Sequence, residues 1–292
     1  VEDIPCYPNL ADLPERPDQV IFAISDQRIE AALDDVIALG IPACTIFSAL
    51  ILSDDSTPNL KQRIAIKAQS AGLLIAGANG MGFYNVRDRV LAGGFDTRDH
   101  PYPGNVALIS QSGAGMSGIV DCEQRIQFNF AVSSGYELTV AMEDYLDYAL
   151  DLPETRVVGL FLETSRYPEK LIQAFKKANQ LNIPIVVLKV GRTDLAAELA
   201  ISHSGALAGS DQCYSALFDQ YGVQRVADMD QLATTLIMFA QPKVVSEGGL
   251  VCLHDSGGER QLLIDLADSA DVPLAQLSDP TVTSLEGLLD PG

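Results

Sequence analysis

The sequence predicts an α/β protein assembled from three-layer units, each with a mainly parallel sheet between helices. Short runs of Val, Ile, Leu and Ala alternate with amphipathic runs along almost all of the 292 residues. Continuously apolar strands separated by helices are typical of parallel sheets that helices cover on both faces. The pattern restarts twice after turn-rich stretches, and no short-period repeat occurs, which predicts three units rather than a solenoid.

The first predicted unit spans residues 1–100. It alternates apolar runs, which we expect to be buried strands, with amphipathic helices. The strands are predicted over residues 20–24, 43–47 and 73–76, and the helices over residues 28–39 and 60–71. A turn-rich stretch with two prolines at residues 96–104 predicts a domain boundary.

The second predicted unit spans residues 104–241 and carries the longest series of alternating elements. Its strands are predicted over residues 106–109, 128–132, 157–162 and 185–188, and its helices over residues 113–125, 140–150, 169–180, 212–221 and 229–239. Pro242 marks the next boundary. A third, shorter unit at residues 244–292 is predicted to hold a strand at 250–253 and a helix at 259–268.

Composition excludes several classes of function. The formal net charge is −20 and no block rich in Lys and Arg occurs, so binding to nucleic acid or to acidic membranes is not expected. The five cysteines are scattered and the three histidines lie far apart, which argues against a disulfide framework or a zinc site. The odd number of scattered cysteines is typical of reduced thiols, so a cytoplasmic protein is expected. No apolar run approaches the ~20 residues of a membrane span, and no signal peptide is visible.

The most informative stretch is residues 200–209, Ala-Ile-Ser-His-Ser-Gly-Ala-Leu-Ala-Gly, which places His203 among small side chains. Small neighbours leave room for a bulky group beside the imidazole, and the glycines allow backbone to approach closely. A histidine in such a place can act as a nucleophile, an acid or base, or a metal ligand. The alternative is a loop histidine whose hydrogen bonds are satisfied within the protein. Two phosphate-type loops elsewhere in the chain favour the chemical role.

Each of these loops joins a predicted strand to a predicted helix through Ser and Gly. The first contains Ser112 and Gly113, and the second contains Ser256, Gly257 and Gly258. A helix start of this kind offers unpaired backbone N–H groups and about half a positive charge, which suits a phosphate. Ser and Gly are also ordinary helix caps, so each loop alone is weak evidence. Together with the histidine, the loops predict a phosphate held between two helix ends and an imidazole.

Two further strand ends carry candidate site residues. Glu163 follows the strand at 157–162, where its carboxylate can accept a hydrogen bond from one imidazole nitrogen and leave the other to attack. The alternative is a capping or surface glutamate. Residues 133–137 follow the preceding strand and are predicted to form a pocket wall. Within it Gly135 and Glu137 are predicted substrate contacts, although Glu137 equally suits the first turn of the next helix.

In the first unit, Ser25 and Ser48 each follow a strand, and the Gly-rich run 77–82, which contains Asn79, follows the third strand. These residues suit the lining of a nucleotide-shaped ligand, and they equally suit ordinary strand-to-helix turns. No G-x-G-x-x-G fingerprint and no Walker A loop is present, so direct binding of NAD or ATP by this segment is not expected.

Five segments together resemble the nucleoside-diphosphate-forming acyl-CoA synthetases, a family that includes acetate–CoA ligase (ADP-forming) and the alpha subunit of succinyl-CoA synthetase. The segments are Cys-Tyr-Pro-Asn-Leu-Ala-Asp-Leu-Pro at 6–14, Ser-Gln-Ser-Gly at 110–113, Lys-Val-Gly-Arg at 189–192, Ser-His-Ser-Gly-Ala-Leu-Ala-Gly-Ser-Asp at 202–211 and Ser-Gly-Gly at 256–258. The resemblance covers essentially the whole chain, and the segment around His203 is specific.

The resemblance implies a Rossmann-like CoA-binding domain, then a flavodoxin-like domain with the phosphohistidine, then a second flavodoxin-like ligase domain. His203 would be the transient phosphoryl carrier and Glu163 its partner. The two Ser/Gly helix starts would hold the phosphate, and CoA would contact Ser25, Ser48 and Asn79. The nucleotide, with its Mg²⁺, would bind an ATP-grasp part outside this segment or on another subunit, and an oligomer is expected.

The implied activity is that of an acid–thiol ligase. Acyl-CoA and phosphate would give an acyl phosphate, then phosphohistidine, then a nucleoside triphosphate, all reversibly. The main alternative is a non-catalytic CoA-sensing regulatory domain of an acetyltransferase-type protein, and a scaffold without activity is a third possibility. The carboxylic acid and the choice between ADP and GDP stay open.

The sequence departs from the family at three places. The family's first strand and its Gly-rich CoA loop are expected to lie before Val1, and the third domain is expected to be incomplete at Gly292. Residues 78–80 read Ala-Asn-Gly where the family has Pro-Asn-Cys, so only Asn79 carries over. Because the chain also starts without Met and in mid-pattern, we expect it to be a piece of a longer polypeptide.

Overall fold

The computed structural model describes residues 4–193, 195–196, 210–243 and 248–288. Within these ranges the chain folds as alternating strands and helices around two sheets, which confirms the predicted α/β class. Both sheets belong to one compact unit, Val1–Ala240, and Gln241–Gly292 forms a second unit. No helix in the described ranges is long and apolar enough to span a membrane.

The first sheet has three parallel strands with helices between them. The strands are β1 (Gln19–Phe22), β2 (Ala43–Ile46) and β3 (Leu74–Gly77) in that order, the helices are α1 (Asp26–Ala38) and α2 (Leu60–Ala71), and a 3₁₀ turn lies at Leu10–Asp12. Apolar residues three or four apart, such as Ile29, Leu33 and Val36 of α1, share one buried cluster with the strands. A capping box explains why α2 starts where predicted. Asn59 accepts a hydrogen bond from the N–H of Gln62, whose side chain accepts one from the N–H of Asn59.

The second sheet holds seven strands and has helices on both faces. Its strands are β4 (Gly82–Asn85), β5 (Val90–Gly93), β6 (Val106–Ser110), β7 (Phe128–Ser133), β8 (Val157–Leu162), β9 (Ile185–Lys189) and β10 (Gln224–Val226). Its helices are α3 (Gly113–Cys122), α4 (Met142–Asp151), α5 (Pro168–Leu181), α6 (Asp211–Tyr221) and α7 (Met229–Phe239). The strand order is β10-β9-β8-β6-β7-β4-β5, and all neighbouring pairs are parallel except those that involve β4.

Neighbouring side chains of the central strands pack in different hydrophobic clusters. Leu108 of β6 packs in a cluster with α3 and α7, whereas Ile109 packs in a cluster with α4, α5 and α6. This division follows because neighbouring side chains of a strand point to opposite faces of the sheet. The second sheet is therefore the middle of three layers, as the continuously apolar strands predict.

The sequence pattern does not predict the hairpin β4–β5. The hairpin lies within residues 1–100, yet its hydrogen bonds place it in the second sheet, where Phe83 and Tyr84 pair with Val132 and Ala131 of β7. Strands of four residues are too short to show a clear alternation, and the pairing partner lies far along the chain. The division of the chain at residue 100 stays a prediction.

The unit Gln241–Gly292 contains the helices α8 (Gly257–Ser269) and α9 (Asp279–Glu286). Helix α8 includes all of the predicted helix 259–268. The predicted strand at 250–253 is wrong, because the described part of this unit has only an isolated bridge between Leu250 and Leu274. An apolar run becomes a strand only where other strands pair with its backbone, and Leu253 is 92% exposed.

Candidate functional site

Four strand ends of the second sheet meet at one edge. The strands β9, β8, β6 and β7 are parallel and adjacent, so their carboxyl ends lie side by side. Gln111 follows β6, Ser134 follows β7 and Glu163 follows β8, while Lys189 is the last residue of β9. The structure therefore brings the predicted Glu163 next to the loop that contains Ser112.

The loop between β6 and α3 is held by two serines. The Ser110 hydroxyl donates to the Ser112 carbonyl oxygen over 2.6 Å and accepts from the Ser112 N–H over 3.2 Å. The Ser112 hydroxyl in turn accepts from the N–H of Gly115 over 3.1 Å, so Ser112 is the N-cap of α3. The N–H groups of Gly113 and Ala114, at the first positions of the helix, have no partner within it. These donors suit an anion at the strand edge.

Gln111 is buried beneath this loop and uses its whole amide. Its Nε2 donates to the carbonyl oxygen of Thr164 over 2.7 Å and to Oε1 of Glu137 over 3.0 Å. Its Oε1 accepts from the backbone N–H of Glu163 over 2.7 Å and from that of Thr164 over 3.0 Å. A primary amide has two donor hydrogens and two acceptor lone pairs, and all four are occupied here. Gln111 therefore ties the ends of β6 and β8 together.

Glu137 is buried, and its side chain has no exposed surface. Its Oε1 accepts from Ser134 Oγ (2.8 Å), Gln111 Nε2 (3.0 Å) and the N–H of Met142 (3.1 Å), the first residue of α4. Its Oε2 lies 2.8 Å from Nε of Arg166. Burial raises the pKa of Glu137, whereas the hydrogen bonds from Gln111 and Ser134 and the charge of Arg166 lower it. Both oxygens are engaged within the protein, so the substrate contact at Glu137 stays a prediction.

The main chain of Glu163 is held from both sides. Its N–H donates to Gln111, and its carbonyl oxygen accepts from Lys189 Nζ over 2.7 Å. The carboxylate is half-buried and has no hydrogen-bond partner in the described part of the chain. The protein thus fixes the backbone of Glu163 and leaves its carboxylate to interact with another group.

Lys189 is a buried cation at the same edge, with 2% of its surface exposed. Its ammonium group also donates to the carbonyl oxygen of Val190 and lies 4.8 Å from the ring centroid of Tyr214. Burial lowers the pKa of Lys189, and the charges of Arg225 and Arg192 lower it further. Asp211 and Glu163 act in the opposite direction, because a nearby negative charge favours the ammonium form.

The predicted CoA residues lie at the carboxyl edge of the first sheet. Ser25 is exposed at the start of α1, and its side chain makes no capping hydrogen bond. The Ser48 hydroxyl is buried without a hydrogen-bond partner among the described residues, and its carbonyl oxygen accepts from the N–H of Asn79 over 2.8 Å. The N–H of Tyr136 donates to the carbonyl oxygen of Ala78 over 2.7 Å. Ser48 and Asn79 are therefore linked to the turn that carries Gly135 and Glu137.

The second Ser/Gly loop lies in the unit Gln241–Gly292 and has the predicted form. The Ser256 hydroxyl accepts from the N–H of Glu259 over 3.4 Å and caps α8. Gly257 and Gly258 are exposed at the start of this helix, and a side chain at Gly257 would meet no atom within 4 Å. The loop is thus an open helix N-terminus with a serine cap, as α3 has at Ser112. His203, with the rest of residues 197–209, lies outside the described residues, and its phosphoryl-carrying role stays a prediction.

The sequence analysis misses three residues of this site as contributors: Gln111, Arg166 and Lys189. Lys189 carries a signal, because it is a charged residue at the end of a continuously apolar run. Gln111 lies inside the Ser-Gln-Ser-Gly loop, where only the serines and glycines suggest a ligand. Arg166 has no local signal, since its partner Glu137 is far from it in the sequence. The described residues contain no cluster of three or more His, Cys, Asp or Glu that suits a metal ion.

Comparison with known proteins connects both sheets to domain families. Residues 1–85 match the model of a CoA-binding domain, and residues 103–239 match that of the succinyl-CoA ligase-like flavodoxin domain. The first match contains Ser25, Ser48 and Asn79. The second contains His203 and the strand edge with Glu163.

Relatives extend along the whole chain. It is 27% identical over 276 residues to a 4-hydroxybutyrate–CoA ligase (ADP-forming) of Nitrosopumilus maritimus, a match that covers 93% of this chain and 40% of that protein. It is also 27% identical over 296 residues to the alpha subunit of acetate–CoA ligase (ADP-forming) II of Pyrococcus furiosus, a match that covers 100% of this chain and 63% of that subunit. The chain thus spans less than two thirds of the length of either relative.

A solved structure supports the fold independently. The dinucleotide-forming acetyl-coenzyme A synthetase 1 of Ca. Korarchaeum cryptofilum, in complex with phosphate and ADP, has a TM-score of 0.82 with this chain at 24% identity. The match covers 100% of this chain and 63% of that one. The order of the two matched domains and the relatives along the whole length confirm the resemblance of this chain to the nucleoside-diphosphate-forming acyl-CoA synthetases.

Proposed function

We propose that this chain is the CoA-binding and phosphoryl-carrying part of an acid–thiol ligase. An oxygen of inorganic phosphate attacks the acyl carbonyl of acyl-CoA, the C–S bond breaks, and CoA and an acyl phosphate are formed. His203 then attacks the phosphorus and the carboxylate leaves. The resulting phosphohistidine transfers its PO₃ group to a nucleoside diphosphate. Every step is reversible, so the same residues serve synthesis of acyl-CoA.

The observation that carries this proposal is the arrangement at the carboxyl edge of the second sheet. Glu163 presents a carboxylate without a hydrogen-bond partner among the described residues, on a main chain held by two buried side chains. The start of α3 at Ser112 follows β6, the strand next to β8. A carboxylate suited to orient an imidazole and a helix end suited to a phosphate are therefore side by side.

Local charge must hold the phosphate against the field of the whole chain, whose net charge is −20. We assign this task to the N-terminus of α3, with Ser112 and Gly113 at the phosphate. The N-terminus of α8, with Ser256, Gly257 and Gly258, offers a second helix end of the same kind within its own unit. Each helix end contributes about half a positive charge and so partly neutralises a phosphoryl group. A phosphorylated histidine is more stable where such charge already exists.

The remaining roles complete the proposal. CoA contacts Ser25, Ser48 and Asn79, and Gly135 and Glu137 lie toward the acyl group. The nucleotide binds, with Mg²⁺, to an ATP-grasp part that assembles with this chain into an oligomer in the cytoplasm. The acid stays open, because the names of the relatives already include acetate and 4-hydroxybutyrate.

Phosphoryl labelling tests the proposal directly. The chain, complemented by its ATP-grasp part, is incubated with γ-³²P-labelled nucleoside triphosphate, and acid-labile phosphate on this chain is measured. We expect stoichiometric label that His203→Ala abolishes. The variants His100→Asn and His254→Asn change the other two histidines of the chain and serve as controls that keep the label.

Absence of label on a folded, complemented chain would contradict the ligase function. It would favour the CoA-sensing regulatory domain, which binds CoA and needs no phosphoryl carrier. Label that persists in His203→Ala would still support a phosphotransfer function, but it would mean that another residue carries the phosphoryl group.

A further inference from the structure

The peptide groups around Glu163 are held by side chains rather than by a strand ladder. β8 ends at Leu162, whose carbonyl oxygen accepts from the N–H of Val190. One residue later the N–H of Glu163 bonds to Gln111 and its carbonyl oxygen bonds to Lys189, over 2.7 Å each. We infer that Gln111 and Lys189 are positioning residues, which fix the main chain of Glu163 so that its carboxylate is placed for phosphoryl transfer. This inference rests on the proposed function.

Gln111 and Lys189 are both more constrained than the fold alone requires. A strand end at the edge of a sheet can leave its polar groups to water, without burial of a charged residue. Here Lys189 is buried, and its ammonium group donates to two carbonyl oxygens and lies over the ring of Tyr214. Burial of an ammonium group is unfavourable unless such partners surround it, so its presence points to a task at this position.

Gln111 has one orientation only, because its environment distinguishes oxygen from nitrogen. Its Nε2 faces the carboxylate of Glu137, which only accepts, and its Oε1 faces two backbone N–H groups, which only donate. Arg166 holds Glu137 from the other side, over 2.8 Å. Rotation of the amide by 180° would break all four hydrogen bonds. The chain Arg166–Glu137–Gln111 therefore determines where the Glu163 backbone lies.

Gln111 and Lys189 contact only the main chain of Glu163, and its carboxylate receives no hydrogen bond from the described residues. This is the arrangement expected of a residue that must meet a group arriving from elsewhere. A displacement of about 1 Å at a catalytic group can lower the rate about 100-fold. Loss of Gln111 or Lys189 should therefore lower kcat through Glu163, without a comparable effect on substrate binding.

A double-mutant cycle tests this inference in the chain complemented by its ATP-grasp part. We expect Gln111→Ala to lower kcat and the rate of phosphohistidine formation about 100-fold, with KM values for CoA and phosphate changed by less than about threefold. In the Glu163→Ala background, Gln111→Ala should have no further effect on kcat. Additive effects of the two substitutions would overturn the inference, because Gln111 would then act independently of Glu163.

Asn129→Ala is the matched control. Asn129 is also a fully buried amide of the second sheet, bonded to Thr155 over 2.7 Å, but it lies near the amino end of β7. We expect Asn129→Ala to lower the free energy of unfolding as Gln111→Ala does, and to leave kcat unchanged. An equal loss of kcat in both variants would reduce Gln111 to a structural role and overturn the inference.

Lys189→Met provides an independent test from the other side of Glu163, should Gln111→Ala fail to fold. It keeps an unbranched side chain and removes the donor to the Glu163 carbonyl oxygen. We expect the same loss of kcat with unchanged KM values, and normal kcat would overturn the role of Lys189. Failure of the unsubstituted chain to accept a phosphoryl group would instead contradict the proposed function, and the inference with it.

Discussion

Glu137 and its neighbours illustrate the scale of single residues. Its buried carboxylate meets Ser134, Gln111, Met142 and Arg166, which together satisfy both oxygens. Because Ser134, Gln111 and Met142 are buried, removal of the carboxylate leaves several polar groups without a partner. Glu137 therefore contributes to stability mainly because it satisfies the polar groups around it, and less through the energy of its own hydrogen bonds.

Glu137→Ala should therefore lower the free energy of unfolding by about 3 to 5 kcal/mol, the usual effect of breaking a buried ion pair. The control is Asp147→Ala, which removes an ion pair with Lys177 at a position 61% exposed and should lose less than about 1 kcal/mol. Urea unfolding of both variants measures the difference. Equal losses would show that Glu137 is hydrated in the native protein and not enclosed as described.

At the scale of elements, the turn after β7 joins the two sheets of the unit Val1–Ala240. The N–H groups of Tyr136 and Leu138 donate to the carbonyl oxygens of Ala78 and Gly77, over 2.7 and 3.3 Å. This contact connects the predicted CoA residues to the Glu137 network. Gly135 makes it possible, because its φ is +58° and a Cβ there would lie 2.1 Å from the Ala78 oxygen.

Gly135→Ala should separate the carboxyl edges of the first and second sheets and thereby weaken CoA binding. The left-handed backbone costs about 1 kcal/mol for alanine, and the clash adds about 1 to 3 kcal/mol. Gly72→Ala is the matched control, because Gly72 has a φ of +66° and nothing within 4 Å of its added Cβ. Calorimetric titration with CoA and thermal unfolding compare the two variants. Similar behaviour of both would mean that only the backbone conformation, and not the close approach, matters.

At the scale of the whole molecule, charge is the dominant property. The chain carries 39 acidic and 19 basic side chains, so its acidic groups repel one another in the folded state. Salt screens this repulsion, since the Debye length falls from about 30 Å at 0.01 M to about 3 Å at 1 M. The proposed phosphate site must work against the same field, which is why its positive groups are local.

Raising the salt concentration from about 0.01 M to about 0.5 M should therefore raise the midpoint of thermal unfolding by several degrees. NaCl and KCl should act alike, because screening depends on ionic strength and not on the identity of the cation. Unfolding curves in both salts check this. A lower midpoint at high salt would indicate that attractive ion pairs, such as Arg63 with Glu30 and Asp55, outweigh the net repulsion.

The sequence by itself determined the alternation of strands and helices and the family that the chain resembles. The strand β8 and the helices α2 and α7 lie at their predicted positions, because hydrophobic period and capping residues act over a few neighbouring residues. Glu163 and Ser112 are candidates for the same reason, since Glu163 directly follows a strand and Ser112 lies in the short loop between a strand and a helix.

Only the tertiary structure decided what lies around these candidates. The pairing of β4 with β7, the contact of Tyr136 with Ala78, and the hold of Gln111 and Lys189 on Glu163 join residues distant in the sequence. A hydrogen bond depends on distance and direction between two groups, and no local pattern encodes either. Burial then makes such contacts decisive, because a buried polar group must find its partner wherever the fold places it.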